Sequence, residues 1–232
     1  MPVFRLSERV SFPPPHFAEP EGLLAVGGDL SESRILLAYQ VGVFPWFSDD
    51  DPILWWSPDP RLVLYPSDIR VSRRLQRTIR QKKFHITCDT AFEEVISACA
   101  GDRLEQNKPT WIHREMIDAY CHLFVSGYAH SIEAWHQGRL AGGLYGLSLG
   151  GGFFGESMFS RMANASKAGL VALCRYLQEN SFDMLDCQVP TGHLMRMGAV
   201  KISRARFLRE LHVSLKKPTH RGSWRESFEN AL

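Results

Sequence analysis

None of the five cysteines stands in a CxxC pair, and five is an odd number. A disulfide framework and a zinc site are therefore not expected, and reduced thiols in a cytoplasm are. Long apolar runs are missing as well. The longest uncharged stretch, Leu140 to Gly155, holds 16 residues of which seven are glycine, too short and too poor in large side chains to cross a bilayer. The opening MPVFRLSERVSF places no apolar run behind a basic start, so no secretory leader is expected. Nine histidines show no HExxH spacing and no serine sits in GxSxG, which removes metalloprotease and serine-hydrolase chemistry. The glycines 142, 143, 146 and 150 to 152 lack the strand-to-helix setting of a dinucleotide or nucleoside triphosphate loop. There is no internal repeat and no low-complexity tract.

What is present is a folding chain of 232 residues, 44% hydrophobic and 22% charged, enough for one large domain or two small ones. The net charge of +2 hides a segregation: Arg61 to Lys83 carries +7, Lys201 to Leu232 carries +5, and the remaining residues carry −10. Concentrated positive segments on an acidic body can hold a polyanion locally, nucleic acid among them. Solvated arginine-rich helix faces with no ligand would look the same.

Residues 1 to 60 are rich in Pro, Gly and Trp and read as a small loop-heavy domain, with 61 to 232 as a second, larger one. A short helix is expected over Ser31 to Gln40, with Ser31 as its cap. A strand follows over Arg61 to Tyr65, then a helix from Ser72 to about Gln81. In that helix Val71, Leu75 and Ile79 share one face while Arg73, Arg77 and Arg80 line another, with Lys83 just beyond. A strand over His85 to Cys88 precedes helices over Ala91 to Ala100 and Glu115 to Ser126. An antiparallel meander is expected over Ser131 to Trp135, Arg139 to Leu149 and Gly152 to Gly155, with turns at His136 to Gly138 and Gly150-Gly151. The most periodic helix, Ala163 to Glu179, and a strand, Met184 to Val189, complete an α+β fold.

In that last strand, period two sends Asp186 and Gln188 to one face and Leu185, Cys187 and Val189 to the other. The polar pair fits either a substrate group or a sheet edge. Glu156 follows a glycine-rich apolar run, where a ligand can approach closely. Its carboxylate suits a cationic group or a structural ion pair with Arg161. Trp46, Trp55, Trp56 and Trp111 lie beside loop-forming residues, compatible with base stacking and with ordinary core.

Seven blocks then resemble, in order along nearly the whole chain, the bacterial leucyl/phenylalanyl-tRNA protein transferases. They are GLLAVGGDLS (22–31), VFPWFS (43–48), DPILWWSPDPR (51–61), TWI (110–112), AHSIE (129–133), FGESMFSRMANASK (154–167) and DCQ (186–188). After DCQ the segment VPTGHLMRMGA keeps His193 and Gly198-Ala199 but has Arg196-Met197 where the family usually has Ser-Leu. The resemblance implies transfer of Leu or Phe, and less readily Met, from aminoacyl-tRNA to the α-amine of proteins beginning with Arg or Lys, which marks them for N-degron proteolysis. It implies a small N-terminal domain and a C-terminal domain like the GNAT acyltransferases, with a mixed, largely antiparallel sheet. It also implies Asp186 and Gln188 at the reaction centre and Glu156 near the acceptor. Trp46 and Trp111 would lie by the tRNA 3′ end, and Leu144, Phe153 and Leu170 would line the aminoacyl pocket. Arg73, Arg77, Arg80 and Lys83 are candidates for the tRNA backbone. A cytoplasmic monomer with no cofactor, metal or membrane contact is expected.

Two rivals remain at this level. An acyl-CoA-dependent N-acetyltransferase would need a pyrophosphate-binding turn that Ser160 to Lys167 does not supply. An RNA-binding module without catalysis accounts for the arginines and tryptophans and leaves Glu156, Asp186 and Gln188 idle.

Overall fold

The computed structural model describes residues 3–105 and 111–230. Thr110 of the TWI block lies outside them. Four short strands form the first sheet: β1 (Phe4–Leu6), β2 (Leu23–Gly27), β3 (Phe44–Pro45) and β4 (Leu54–Trp56), in the order β1-β2-β4-β3, with helix α1 (Glu32–Gln40) between β2 and β3. Ser31 stands at the N-cap of α1 as expected, but its side chain makes no capping bond and instead meets the Ser33 hydroxyl at 3.3 Å. Asp29 takes over locally: it accepts from the Ser31 N–H and pairs with Arg34 at 3.1 Å.

The second sheet has seven strands and begins where the charge turns positive. In chain order it comprises β5 (Arg61–Leu64), helix α2 (Arg73–Arg80), β6 (His85–Cys88), helices α3 (Phe92–Glu105) and α4 (Arg114–Val125), then β7 (Ala129–His136), β8 (Arg139–Leu149) and β9 (Gly152–Ser160). Helix α5 (Ala165–Glu179), β10 (Met184–Gln188), α6 (Gly192–Arg196), β11 (Val200–Ile202), α7 (Arg204–Ser214) and α8 (Arg225–Asn230) follow. The spatial order is β11-β5-β10-β9-β8-β7-β6. All pairs are antiparallel except β9 with β10, so the fold is α+β with a mixed, largely antiparallel sheet. The β7–β8 hairpin turns through Gln137 and Gly138, both at positive φ, the conformation a tight right-twisting hairpin requires. Helix α3 runs on past the expected Ala100, and β9 past Gly155.

Alternation along the strands explains the layering. Val63, Tyr145, Leu147, Phe154 and Met184 point to the side covered by α1, α3, α4 and α7. Leu64, Leu144, Phe153 and Leu185 point to the opposite side, under α2, α5 and α8. The glycines of β8 allow this second layer to approach. A Cβ on Gly142 would stand 2.7 Å from Ala165 Cβ at the start of α5, and one on Gly146 would stand 2.5 Å from the Phe153 ring. The first core cluster joins the small sheet to the large one without a break, through Tyr39, Phe44, Trp55 and Val63.

Two irregularities open the centre of the sheet. Strand β10 pairs with β9 only through Met184 to Asp186 against Gly152 to Phe154. Beyond that point both strands bulge. On β9, Tyr145 faces Ser157 while Gly146 faces Gly155, which leaves Glu156 as the extra residue. On β10, Asp186 faces Val63 while Gln188 faces Leu62, which leaves Cys187 as the extra residue, and Gln188 sits at φ 59°. Bulges bend a strand and re-aim its side chains. The expected alternation of Asp186 and Gln188 on one face is therefore broken.

Candidate active site

A cavity of about 400 Å³ occupies the gap between the diverging strands. Its lining comes from both layers, so it passes through the sheet. One end is apolar and is built from Leu144, Phe153, Leu170, Leu173 and Leu185. The other end carries Tyr145, Glu156 and Gln188, with Phe44, Trp46 and Trp111 beside them. Dimensions and lining of this kind suit a ligand with an apolar side chain and a few polar groups.

Glu156 is 8% exposed. Tyr39 on α1 donates to its Oε1 at 2.6 Å, Tyr120 on α4 meets Oε2 at 2.9 Å, and Gln188 Nε2 donates to Oε1 at 2.7 Å. The two phenolic oxygens are themselves 2.6 Å apart. Burial pushes the carboxyl pKa up to about 7 against the pull of these three partners, and the nearby Asp186 charge adds to the rise. The alternative pairing with Arg161 is not what the structure shows. The Arg161 guanidinium lies over the Phe159 ring, at 5.2 Å, while phenols and an amide hold Glu156.

Asp186 has the opposite surroundings. It is fully buried, does not line the cavity, and receives both arms of Arg61, Nε to Oδ1 at 2.9 Å and Nη2 to Oδ2 at 2.6 Å. Arg61 is equally buried, and its guanidinium lies 4.7 and 4.5 Å from the Phe44 and Phe207 rings. The Gln188 backbone N–H also donates to Asp186 Oδ1, at 2.9 Å. Asp186 thus braces the bulge that turns Gln188 into the cavity. The cavity wall thus presents Gln188 and Glu156, and not Asp186.

Trp46 is 42% exposed at the mouth and Trp111 is 9% exposed deeper in. Trp56 steadies Trp46, donating from Nε1 to its carbonyl at 2.6 Å. His193 lines the same cavity, and burial, then the positive charges of nearby Lys167 and Arg196, lower its pKa. On α2, Arg73, Arg77 and Arg80 are exposed, as is Lys83 beyond it, while Leu75 and Thr78 face inward. Asn164, just before α5, donates to Thr78 Oγ1 at 3.1 Å and ties this basic face to the helix that carries Lys167.

The structure therefore gathers Trp46, Trp111, Leu144, Phe153, Leu170, Glu156 and Gln188 around one cavity, leaves Asp186 behind its wall, and puts the four basic residues outside it. Sequence reasoning missed Tyr39, Tyr120 and Arg61. Arg61 carried a usable signal, a lone charge opening the apolar strand RLVL. Tyr39 and Tyr120 carried none, since each reads as an aromatic on an amphipathic helix. Glu133 of the AHSIE block is framework: it accepts from Thr87 at 2.6 Å and Thr90 at 2.9 Å, where α3 begins.

Comparison with known proteins agrees with this picture along the chain. The leucyl/phenylalanyl-tRNA protein transferase family model matches residues 63–212, and the model of that family's N-terminal domain matches residues 28–59. A leucyl/phenylalanyl-tRNA–protein transferase of Desulforapulum autotrophicum is 59% identical over 97% of this chain and 98% of its own length. One of Desulfatibacillum aliphaticivorans is 53% identical over the whole of both chains. Among solved structures, L-PGS of Bacillus licheniformis overlaps loosely, with 10% identity and a TM-score of 0.42 over 74% of this chain and 54% of that one. Family models covering most of the sequence and relatives at this identity leave one assignment: the chain belongs to the leucyl/phenylalanyl-tRNA protein transferase family, which are aminoacyltransferases.

Proposed function

We propose that this protein transfers Leu or Phe, and less readily Met, from aminoacyl-tRNA to the α-amine of proteins whose first residue is Arg or Lys, forming a peptide bond in the cytoplasm and marking the product for N-degron proteolysis. The observation that carries this reading is the single cavity with an apolar end and a buried carboxylate at the other. An unbranched-at-Cβ side chain fits against Leu144, Phe153 and Leu170. Trp46 and Trp111 flank the position of the terminal adenosine, where base stacking contributes about 1 to 3 kcal/mol. Glu156 pairs with the cationic acceptor, and Arg73, Arg77, Arg80 and Lys83 hold tRNA phosphates. The division of labour follows the two sheets, with residues 1 to 60 supplying Tyr39, Phe44 and Trp46 to a site centred in residues 61 to 232.

The chemistry asks for few side chains. An aminoacyl ester is already activated, and an α-amine with pKa about 7.7 to 8.0 is partly neutral near pH 7. No covalent enzyme intermediate is required. Gln188 orients the amine against the ester carbonyl, and Asp186 acts through Gln188 by holding its backbone. The amine nitrogen attacks the ester carbon, the tetrahedral intermediate collapses, and the tRNA hydroxyl leaves with the proton that the amine gives up.

The decisive experiment offers the protein a peptide beginning with Arg together with leucyl-tRNA or with acetyl-CoA. Leucylated peptide from the first mixture and no acetylated peptide from the second is the expected result. Acetylation would establish an acyl-CoA enzyme, and tRNA binding without either product would establish a binding module. Phe153→Ser, which removes burial worth about 1.5 to 3 kcal/mol, lowers use of phenylalanyl-tRNA well beyond any loss in binding of uncharged tRNA.

A further inference from the structure

The oxygens around Glu156 cannot all be satisfied by a carboxylate. Tyr39, Tyr120 and Glu156 make three mutual contacts: 2.6 Å between the phenols, 2.6 Å from Tyr39 to Oε1 and 2.9 Å from Tyr120 to Oε2. Each contact needs one proton, and the two phenols supply two. With Glu156 ionised, one pair of oxygens faces its neighbour with no hydrogen between them, in a buried place where unmade bonds are costly. One further proton closes the set. Oε2–H donates to Tyr120, Tyr120 to Tyr39, and Tyr39 to Oε1, which also accepts from Gln188 Nε2.

We propose that Tyr39, Tyr120 and Glu156 form a closed ring of four oxygens and three hydrogen bonds that keeps an exchangeable proton at the acceptor end of the cavity until a cationic N-terminal residue displaces it. The inference rests on the reading of Glu156 as the acceptor-binding carboxylate. The groups facing the ring are consistent with a neutral resting state. Tyr145 on β8 packs edge-on to Tyr120, Gln188 on β10 is uncharged, and the Asp186 charge behind it is matched by Arg61 on β5. Burial and the neighbouring carboxyl hold both phenols well above their usual pKa, so neither becomes the anion in place of Glu156. Burial of the carboxyl itself acts in the same direction as the ring.

The ring gives Tyr39 and Tyr120 a task as positioning residues. A cation entering the cavity must expel the proton to solvent and pair with the carboxylate that remains, whereas an uncharged first residue gains nothing from doing so. Acceptor choice is thereby coupled to pH. Below the midpoint of this titration the apparent KM for a peptide beginning with Arg rises about tenfold for each further pH unit, while the KM for aminoacyl-tRNA does not follow.

Calorimetry of the full-length protein with a peptide beginning with Arg, in buffers of different ionisation enthalpy, counts the protons released on binding. Glu156→Gln serves as the control that subtracts the contribution of the peptide's own amine. At pH 6 the wild type is expected to release close to one proton more than Glu156→Gln, and at pH 8.5 the excess falls to near zero. Tyr39→Phe and Tyr120→Phe each open the ring, and each is expected to cut the pH 6 excess by half or more while the thermal melt stays cooperative. No excess in the wild type overturns the proposal. An excess that both phenylalanine variants leave unchanged also overturns it, because burial alone would then hold the proton. If Glu156→Gln binds the Arg peptide as tightly as the wild type, the acceptor reading of Glu156 itself fails, a result distinct from either of these.

Discussion

Arg61 and the arginines of α2 follow one another in the chain and have opposite fates. Arg61 is completely buried, clamped on Asp186 and roofed by two aromatic rings, whereas Arg73, Arg77 and Arg80 stand in solvent on one side of a helix whose other side packs. The inner charge has lost its hydration and depends on one partner of matching shape, so its worth is structural and large when that partner is removed. The outer charges are hydrated and screened, contribute little to folding, and remain available to a polyanion. Positive charge in this protein thus serves the fold where it is enclosed and stays accessible to a polyanion where it is exposed. Glu156 is the intermediate case, enclosed like Arg61 but held by phenols and an amide instead of an opposite charge.

The strongest way to break the comparison is to remove the inner cation. Arg61→Met leaves the Asp186 carboxylate buried and unpaired, and is expected to destabilise the fold by about 3 to 5 kcal/mol in urea unfolding. Replacing the pair together, Arg61→Met with Asp186→Leu, is expected to recover most of that stability, since buried ion pairs are often matched by apolar residues of similar volume. Transfer activity is not expected to return with it. The Gln188 backbone would still lack the acceptor that fixes its bulge. Recovery of both would show that Asp186 does no more than neutralise Arg61.

Glu156 sharpens the intermediate case through pH. Its pKa is raised from 4.5 to about 7, first by burial, so between those values the folded protein binds a proton that the unfolded chain has released. Stability contributed by the neutral carboxyl is complete below pH 4.5 and is lost as pH rises to 7, a change of about 3 kcal/mol in full. Glu156→Gln removes that dependence. Urea unfolding at pH 5 and pH 8 is expected to show the wild type losing stability relative to the variant across this interval. Parallel losses in the two proteins would mean that Glu156 is ionised throughout and tolerated as an anion.

How much of this was legible beforehand depended on whether a feature is local. The amphipathic pattern of α2 and the hairpin at Gln137-Gly138 are set by neighbours in sequence, and both stand where expected. The Glu156 site is set by residues from α1, α4, β9 and β10, whose meeting no short pattern encodes. The shared strand face expected for Asp186 and Gln188 was lost for a related reason. Strict alternation assumes an unbroken ladder, and one extra residue at Cys187 is enough to send the two side chains to different places. The seven family-like blocks supply part of the cavity wall, Phe44, Trp46, Trp111, Glu156 and Gln188 among it, while the apolar end at Leu144, Phe153 and Leu170 lies outside them. They were silent on Tyr39 and Tyr120, which lie between blocks, and they gave Glu133 no mark to separate framework from site.

The smallest effect on folding is expected on the outer face. Arg73→Ala, Arg77→Ala and Arg80→Ala together remove exposed cations with no acidic partner among their hydrogen bonds and ion pairs in the described residues, and surface changes of this kind usually stay within about 0.5 kcal/mol each. Binding of tRNA is another matter, because each phosphate contact releases counterions, and three lost contacts should make the slope of log affinity against log salt shallower by about two to three. The weakening should be similar for every tRNA that carries Leu or Phe, since phosphate contacts position the nucleic acid without reading it. A filter-binding titration over several salt concentrations, run beside a urea melt, separates the two effects. An unchanged slope with unchanged stability would move the tRNA to another basic face, with Lys167 and Arg196 near His193 as the next to be tested. A large loss of stability would instead break the comparison itself, since it would show that the outer arginines are bound into the fold as Arg61 is.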